Sequence, residues 1–214
     1  MTAQSHPNHH PCCNTLLRYA AGTLSPAMHM FVASHLAYCP QCRQELQAYE
    51  SQAGLGLEAL PPEELDVGCL QNLLSKIDEH GPIACIDVTI PIKSASAFHY
   101  PEPLQPFAGV TGERIHWKTQ GAVSSWTMPG EATTLIYKIG ARQSLTNIAF
   151  AKDAILLILN GGFDDYQRGD IVKSKSAVNM TTTGETLFLV ITPAPSDKPS
   201  WFQRLMSFVF GDKK

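Results

Sequence analysis

Three residues, His35, Cys39 and Cys42, have the types and spacing to hold a metal ion. On a helix, His35 and Cys39 are one turn apart and share a face. Pro40 then forces a turn that brings Cys42 back toward Cys39. Zinc takes four donors in a tetrahedron, usually Cys and His, and this motif supplies three. The fourth must come from elsewhere, and His9, His10, Cys12 and Cys13 all lie just ahead of the first helical segment. A Cys-x-x-Cys is also a redox pair in thioredoxin-like proteins, but there it follows a strand in a βαβ unit. Here a helical pattern precedes it.

The motif needs helices to position it, and the sequence supplies them. Asn14 predicts a cap for a helix over 15–21, and Gly22 its end. Ser25-Pro26 marks a second start, a capping hydroxyl followed by Pro at the first helical position. Phe31, Val32, Leu36 and Cys39 follow one helical face. A third helix is expected over 41–52, before Gly54. A fourth, after Pro61-Pro62, carries Leu65, Cys69, Leu70, Leu73, Leu74 and Ile77 on one side and stops at Gly81-Pro82. So small a helical unit buries little core and calls for a metal or a partner.

Beyond residue 112 the period changes. Short strand-like runs at 114–118, 122–128, 133–139, 154–159, 170–173 and 186–192 are punctuated by Gly121, Gly140, Gly161-Gly162, Gly169 and Gly184. That spacing predicts an antiparallel sandwich or small barrel. The expected class is therefore α+β. A zinc-stabilised helical bundle spans 1–81, a Pro-rich extended linker 82–112, a β-barrel 113–195, and a C-terminal tail 196–214. Within the tail, Trp201–Phe210 reads as a short helix that packs on the barrel. The acids of Asp164–Asp170 read as a solvated loop.

Composition limits the function. Of 214 residues, 44% are hydrophobic and 16% charged, which excludes wholesale disorder. The net charge of −3 and the lack of any basic tract argue against direct nucleic-acid binding. No apolar run reaches the ~18 residues of a membrane span. The polar, His-rich start is no signal peptide. The expected place is the cytoplasm, where six cysteines point to metal or redox chemistry rather than to structural disulfides.

The run Leu16-Leu17-Arg18-Tyr19-Ala20-Ala21-Gly22-Thr23-Leu24-Ser25, followed by His35-Leu36-Ala37-Tyr38-Cys39-Pro40-Gln41-Cys42, resembles the zinc-binding anti-sigma domain. More closely, the chain resembles ChrR-type anti-sigma factors, which join that domain to a C-terminal cupin barrel. The resemblance implies that His10, His35, Cys39 and Cys42 hold one Zn²⁺. It implies that the helical domain clamps an extracytoplasmic-function-type sigma factor in a 1:1 complex and keeps it from core RNA polymerase. It also implies a regulator with no catalytic residues, not an enzyme. The rivals are a cupin enzyme, or a small-molecule-binding module, with an appended zinc domain.

The second half departs from the family. A metal-loaded cupin carries His-x-His, then Glu, then a later His. Here Ile148 and Phe150 stand at the paired His positions, Ala154 near the Glu, and Asn179 or Met180 near the last His, and no His follows His116. A transition metal needs several N or O donors converging on one cavity. The expectation is a barrel without metal, its interior apolar and packed, the alternative being one open to a small ligand.

Overall fold

The computed structural model describes residues 6–64, 66–80, 98–129, 133–151, 153–174 and 177–193. The chain divides into two compact units, one formed by residues 1–50 together with 98–214 and the other by residues 51–97.

The first unit opens with α1 (Cys13–Ala20). Its N-cap is Cys12, with extended backbone and no side-chain hydrogen bond; Asn14 sits inside the first turn rather than capping it. Gly22 ends the helix at φ +65°, with its N–H donated to the Tyr19 carbonyl and the Thr23 N–H to that of Arg18. In α2 (Pro26–Leu36) the Ser25 hydroxyl accepts the Met28 N–H at 3.3 Å, and Pro26 occupies the first helical position. α3 (Pro40–Glu58) starts on Pro40, where no N–H is needed, so the proline opens this helix as it breaks from the one before. α3 continues through Gly54 and Gly56, past the expected end near 52.

The 51–97 unit holds the last turns of α3 and α4 (Cys69–His80). Leu65 and the expected helix stop at 81–82 lie outside the described residues.

Residues 98–112 correct the expectation of an extended linker that builds no helix. A 3₁₀ turn (Glu102–Leu104) runs into α5 (Gln105–Ala108), with Pro103 and Pro106 in their first turns. Tyr100, Leu104 and Ala108 are buried. Proline costs nothing at the start of a helix, and a Pro-rich stretch can therefore fold if apolar residues between the prolines find a core.

The β part comprises β1 (Lys118–Gln120), β2 (Val123–Thr127), β3 (Thr134–Ile139), β4 (Ser144–Ala149), β5 (Ile155–Asn160), β6 (Gly162–Phe163), β7 (Tyr166–Gln167), β8 (Ile171–Lys173), β9 (Ala177–Thr181) and β10 (Thr186–Ile191). All pairings are antiparallel, in a six-stranded sheet ordered β1-β2-β3-β10-β5-β8 and two-stranded sheets β4-β9 and β6-β7. Of the expected strand over 114–118, only Lys118 is in a strand. β9 is an addition.

The sheet's two central strands explain the architecture. Every residue of β10 is buried, and so is the interior of β5. Their side chains alternate between two cores. Leu156, Ile158, Phe188 and Val190 face the barrel interior, where Phe150, Phe163 and Met180 close over them. Leu157, Leu159, Leu187, Leu189 and Ile191 face outward and pack with Leu16 of α1 and Met28, Phe31, Val32 and Leu36 of α2. A strand buried on both faces reads as a continuous apolar run, as Ile155–Leu159 and Leu187–Ile191 do. The N-terminal helices thus share one hydrophobic core with the barrel's outer face. The segment Trp201–Phe210 lies outside the described residues.

Candidate metal centre

The cluster is built from three pieces of chain. His35 lies in the last turn of α2, Cys39 just before α3, and Cys42 in the first turn of α3. His10 comes from the extended segment that precedes α1. One ligand atom from each of the four residues lies within 4.8 Å of every other. His35 Nε2 is 3.3 Å from Cys42 Sγ, and His10 Nδ1 is 3.3 Å from Cys39 Sγ and 3.4 Å from Cys42 Sγ. Around a tetrahedral zinc with bonds of ~2.3 Å to S and ~2.0 Å to N, neighbouring donors stand about 3.5 Å apart. Donor set and spacing both fit that ion. His35, Cys39 and Cys42 are buried, and His10 is partly exposed beside a pocket of about 360 Å³ lined by His6, Pro7, Cys39, Pro40, Gln41 and Gln44.

The electrostatics suit metal ligation. Burial pulls the His35 ring down to about 4, against the raising effect of the Gly169 carbonyl, so the ring is neutral near pH 7. Its Nδ1 lies 2.8 Å from the Gly169 oxygen. A carbonyl only accepts, so Nδ1 carries the hydrogen and Nε2 is left as a lone pair facing the sulfurs. Burial, reinforced by Cys39, pushes the Cys42 thiol up to about 12. Two sulfurs this close and this buried repel as thiolates unless a cation sits between them.

The other N-terminal candidates fall outside the cluster. The Cys12 sulfur is exposed and 3.1 Å from the Thr15 hydroxyl, and Cys13 is exposed on α1. The His9 ring stands against Tyr166, with Nδ1 3.5 Å from Asp170.

Asp170 is a correction to the solvated-loop reading, because it is fully buried. One carboxylate oxygen accepts the N–H groups of Asn8 at 2.6 Å and His9 at 2.9 Å, and the other accepts that of Gln167 at 2.9 Å. Sequence alone misses this role, since two of the three partners are over 160 residues away. The only hint is an acid directly after Gly169 at the mouth of a strand.

The resemblance sets Ile148, Phe150, Ala154, Asn179 and Met180 against the ligand positions of a metal-loaded cupin. Phe150, Ala154 and Met180 are buried and apolar, while Asn179 is exposed; Ile148 pairs with Val178 in the β4–β9 ladder. Phe188 lies at the centre of an aromatic cluster, 5.5 Å from Tyr137, 6.2 Å from Phe150 and 6.3 Å from Phe163 between ring centres.

A family described as a putative zinc-finger matches residues 16–43, the stretch that carries His35, Cys39 and Cys42. The anti-sigma-E factor ChrR of Cereibacter sphaeroides is 29% identical over 205 residues, covering 92% of this chain and 93% of that protein. The crystal structure of Rhodobacter sphaeroides SigE in complex with the anti-sigma ChrR superimposes with a TM-score of 0.67 at 27% identity, covering 87% of this chain and 99% of the matched one. The chain is thus similar to ChrR along most of its length.

The likeness to ChrR spans helices and β part together, and the zinc-finger match falls within the helices. Only the local half of the cluster is visible as a motif in the sequence. His10 is 25 residues from His35, in a segment without periodicity, and spacing alone leaves His9, Cys12 and Cys13 equally open. No helix among the described residues is long and apolar enough to cross a membrane.

Proposed function

We propose that this chain is a cytoplasmic zinc-dependent anti-sigma factor that holds an extracytoplasmic-function-type sigma factor in a 1:1 complex until a stress signal releases it. The likeness to ChrR along both parts of the chain carries this reading, and the four converging donors support it. His10, His35, Cys39 and Cys42 hold one zinc. When bound, zinc supplies a cross-link that ties α2, the start of α3 and the N-terminal segment into one frame. Functionally, 1–81 is the sigma-binding part, 113–195 the barrel and 196–214 the tail.

The 51–97 unit offers the contact surface. On α4, Leu70, Leu73, Leu74 and Ile77 recur at i, i+3, i+4 and i+7 and are all exposed, Leu70 to 64%. An apolar stripe of that period is what a partner groove or helix buries. A sigma factor seated there hides its own apolar surface from polymerase.

The barrel is a metal-free sensor or support rather than an enzyme's active site. Its apolar lining and the three rings packed around Phe188 favour packing over a ligand cavity. The test is co-expression with the sigma factor encoded beside it, followed by size exclusion and metal analysis. One zinc per chain and a co-eluting heterodimer are expected. No complex overturns the anti-sigma reading, and a second metal lost on substituting Phe150 or Met180 revives the cupin enzyme.

A further inference from the structure

One barrel hairpin borders the metal centre, touching His35 and the segment that carries His10. The segment 6–10 runs beside β7 and the start of β8. The Gln167 side chain donates to the His6 carbonyl at 2.6 Å, and the Ile171 N–H donates to the His9 carbonyl at 3.1 Å. Asp170 receives the Asn8 and His9 N–H groups, immediately before His10. Gly169 accepts the His35 Nδ1 hydrogen. The Arg168 guanidinium lies 4.5 Å above the Tyr38 ring, next to Cys39. Gly169 itself sits at φ +90°, and a side chain there would meet Pro7 at 2.5 Å and Tyr38 at 3.0 Å. That residue has to be glycine for the turn to come this close.

Besides these backbone groups, Asp170 faces the His9 ring, whose Nδ1 is 3.5 Å away. A buried carboxylate is costly unless its oxygens are filled, and here all three of the donors named above are backbone N–H groups, two of them from the metal-bearing segment. Charge-assisted bonds of this kind are the strong ones. His10 is also the most exposed of the four donors and faces the open pocket, so it is the edge at which the site opens.

We propose that the Gly169–Asp170 step of the barrel is a positioning element of the zinc centre, holding His10 through Asp170 and His35 through the Gly169 carbonyl, so that the barrel sets how tightly zinc is retained. This rests on the zinc reading above and supplies a route by which the barrel can act on the clamp. Any ligand or modification that shifts the 166–171 turn loosens two of four donors. Coupling is reciprocal, so loss of zinc loosens the turn.

The test uses the full chain loaded with zinc. Release is followed with a chromophoric chelator in excess, at fixed pH, for wild type, Asp170→Asn and Asp170→Ala, each checked for fold by circular dichroism. Substituting groups that orient metal ligands costs on the order of 10–100-fold in metal affinity. Asp170→Ala should release zinc at least ~10-fold faster at the low end of that range, with Asp170→Asn between it and wild type, because an amide keeps one acceptor. In a His10→Ala background the effect of Asp170→Ala should shrink severalfold. A folded Asp170→Ala that releases zinc within two-fold of wild type overturns the proposal.

Hydrogen exchange on wild type needs no variant. Chelation should raise exchange at the Gln167 and Ile171 amides while leaving Leu189 in the central strand unchanged. Unchanged exchange at Gln167 and Ile171 overturns the proposal even if Asp170→Ala does not fold. A wild-type chain that takes up no zinc refutes instead the metal reading beneath it.

Discussion

Phe188→Ala measures whether the barrel is filled. Phe188 is fully buried on β10, the strand between β3 and β5, and three aromatic rings surround it. Removing the ring forfeits the transfer free energy of a buried aromatic, about 2–3 kcal/mol. It also leaves a void on the order of 100 Å³, which at ~24 cal/mol per Å³ adds about 2 kcal/mol if the walls hold still. They have reason to hold, since Phe188 pairs with Tyr137 on one side and Ile158 on the other through ladder bonds. The expected loss is about 4–5 kcal/mol, within the range for Phe→Ala in cores. For a unit of this size that lowers Tm by roughly 10–15 °C.

Urea unfolding followed by circular dichroism and tryptophan fluorescence reads the loss directly, with Phe107→Ala as a control, since Phe107 is 37% exposed and should cost under about 1 kcal/mol. The void should stay dry, and benzene should recover part of the lost stability. A loss below about 1 kcal/mol for Phe188→Ala would mean that the interior has room to spare. The packed-barrel argument would then be wrong, and a resident small ligand would become the better reading.

Thiol labelling should proceed in two stages, with the exposed Cys12, Cys13 and Cys69 reacting first and the buried Cys39 and Cys42 only after a chelator is added; early labelling of Cys39 or Cys42 in the zinc-loaded chain would count against their role as ligands. Leu73→Glu on α4, whose leucine is 56% exposed, should leave folding unchanged and weaken sigma binding by ~2 kcal/mol or more, roughly 30-fold, by titration calorimetry; unaltered affinity would remove α4 from the contact. Glu113 is held down to about 2 by backbone N–H groups, its own, Thr111's and Val110's. A depressed carboxylate adds stability above its unfolded value near 4.5, lost as pH falls from there toward 2. Wild type should thus outlast Glu113→Ala in thermal melts near neutral pH and converge with it only below about pH 2; a constant gap would show that the carboxylate's charge plays no part.

How much of this was legible in the chain depends on distance along it. The Ser25-Pro26 start, the Gly22 stop and the His35-Cys39-Cys42 spacing are all settled within a few residues, and each appears where local rules place it. Asn14 fails as a cap because Cys12 already takes the extended conformation that a cap requires, which puts Asn14 inside the helix. β9 escaped because Ala177–Thr181 has neither a clear alternation nor a turn signal ahead of it; pairing with β4 makes it a strand. The acid at 170 was indistinguishable in sequence from its solvated neighbours Asp164 and Asp165. Burial by a segment 160 residues away is what separates them.

The apolar runs of β5 and β10 did carry a signal that spacing rules undervalue. A barrel strand lined by side chains within and water without should alternate, and these do not. Residues such as Leu157, Leu189 and Ile191 had to be covered by something outside the barrel, and the amphipathic helices at the other end of the chain were the available cover. Leu16, Phe31 and Val32 lie fully buried against that face. The His10, His35, Cys39 and Cys42 cluster therefore sits beside the barrel, with its helices sharing the barrel's core. The barrel has a physical reason to be conjoined with the helical part: it is the surface on which those helices complete their packing.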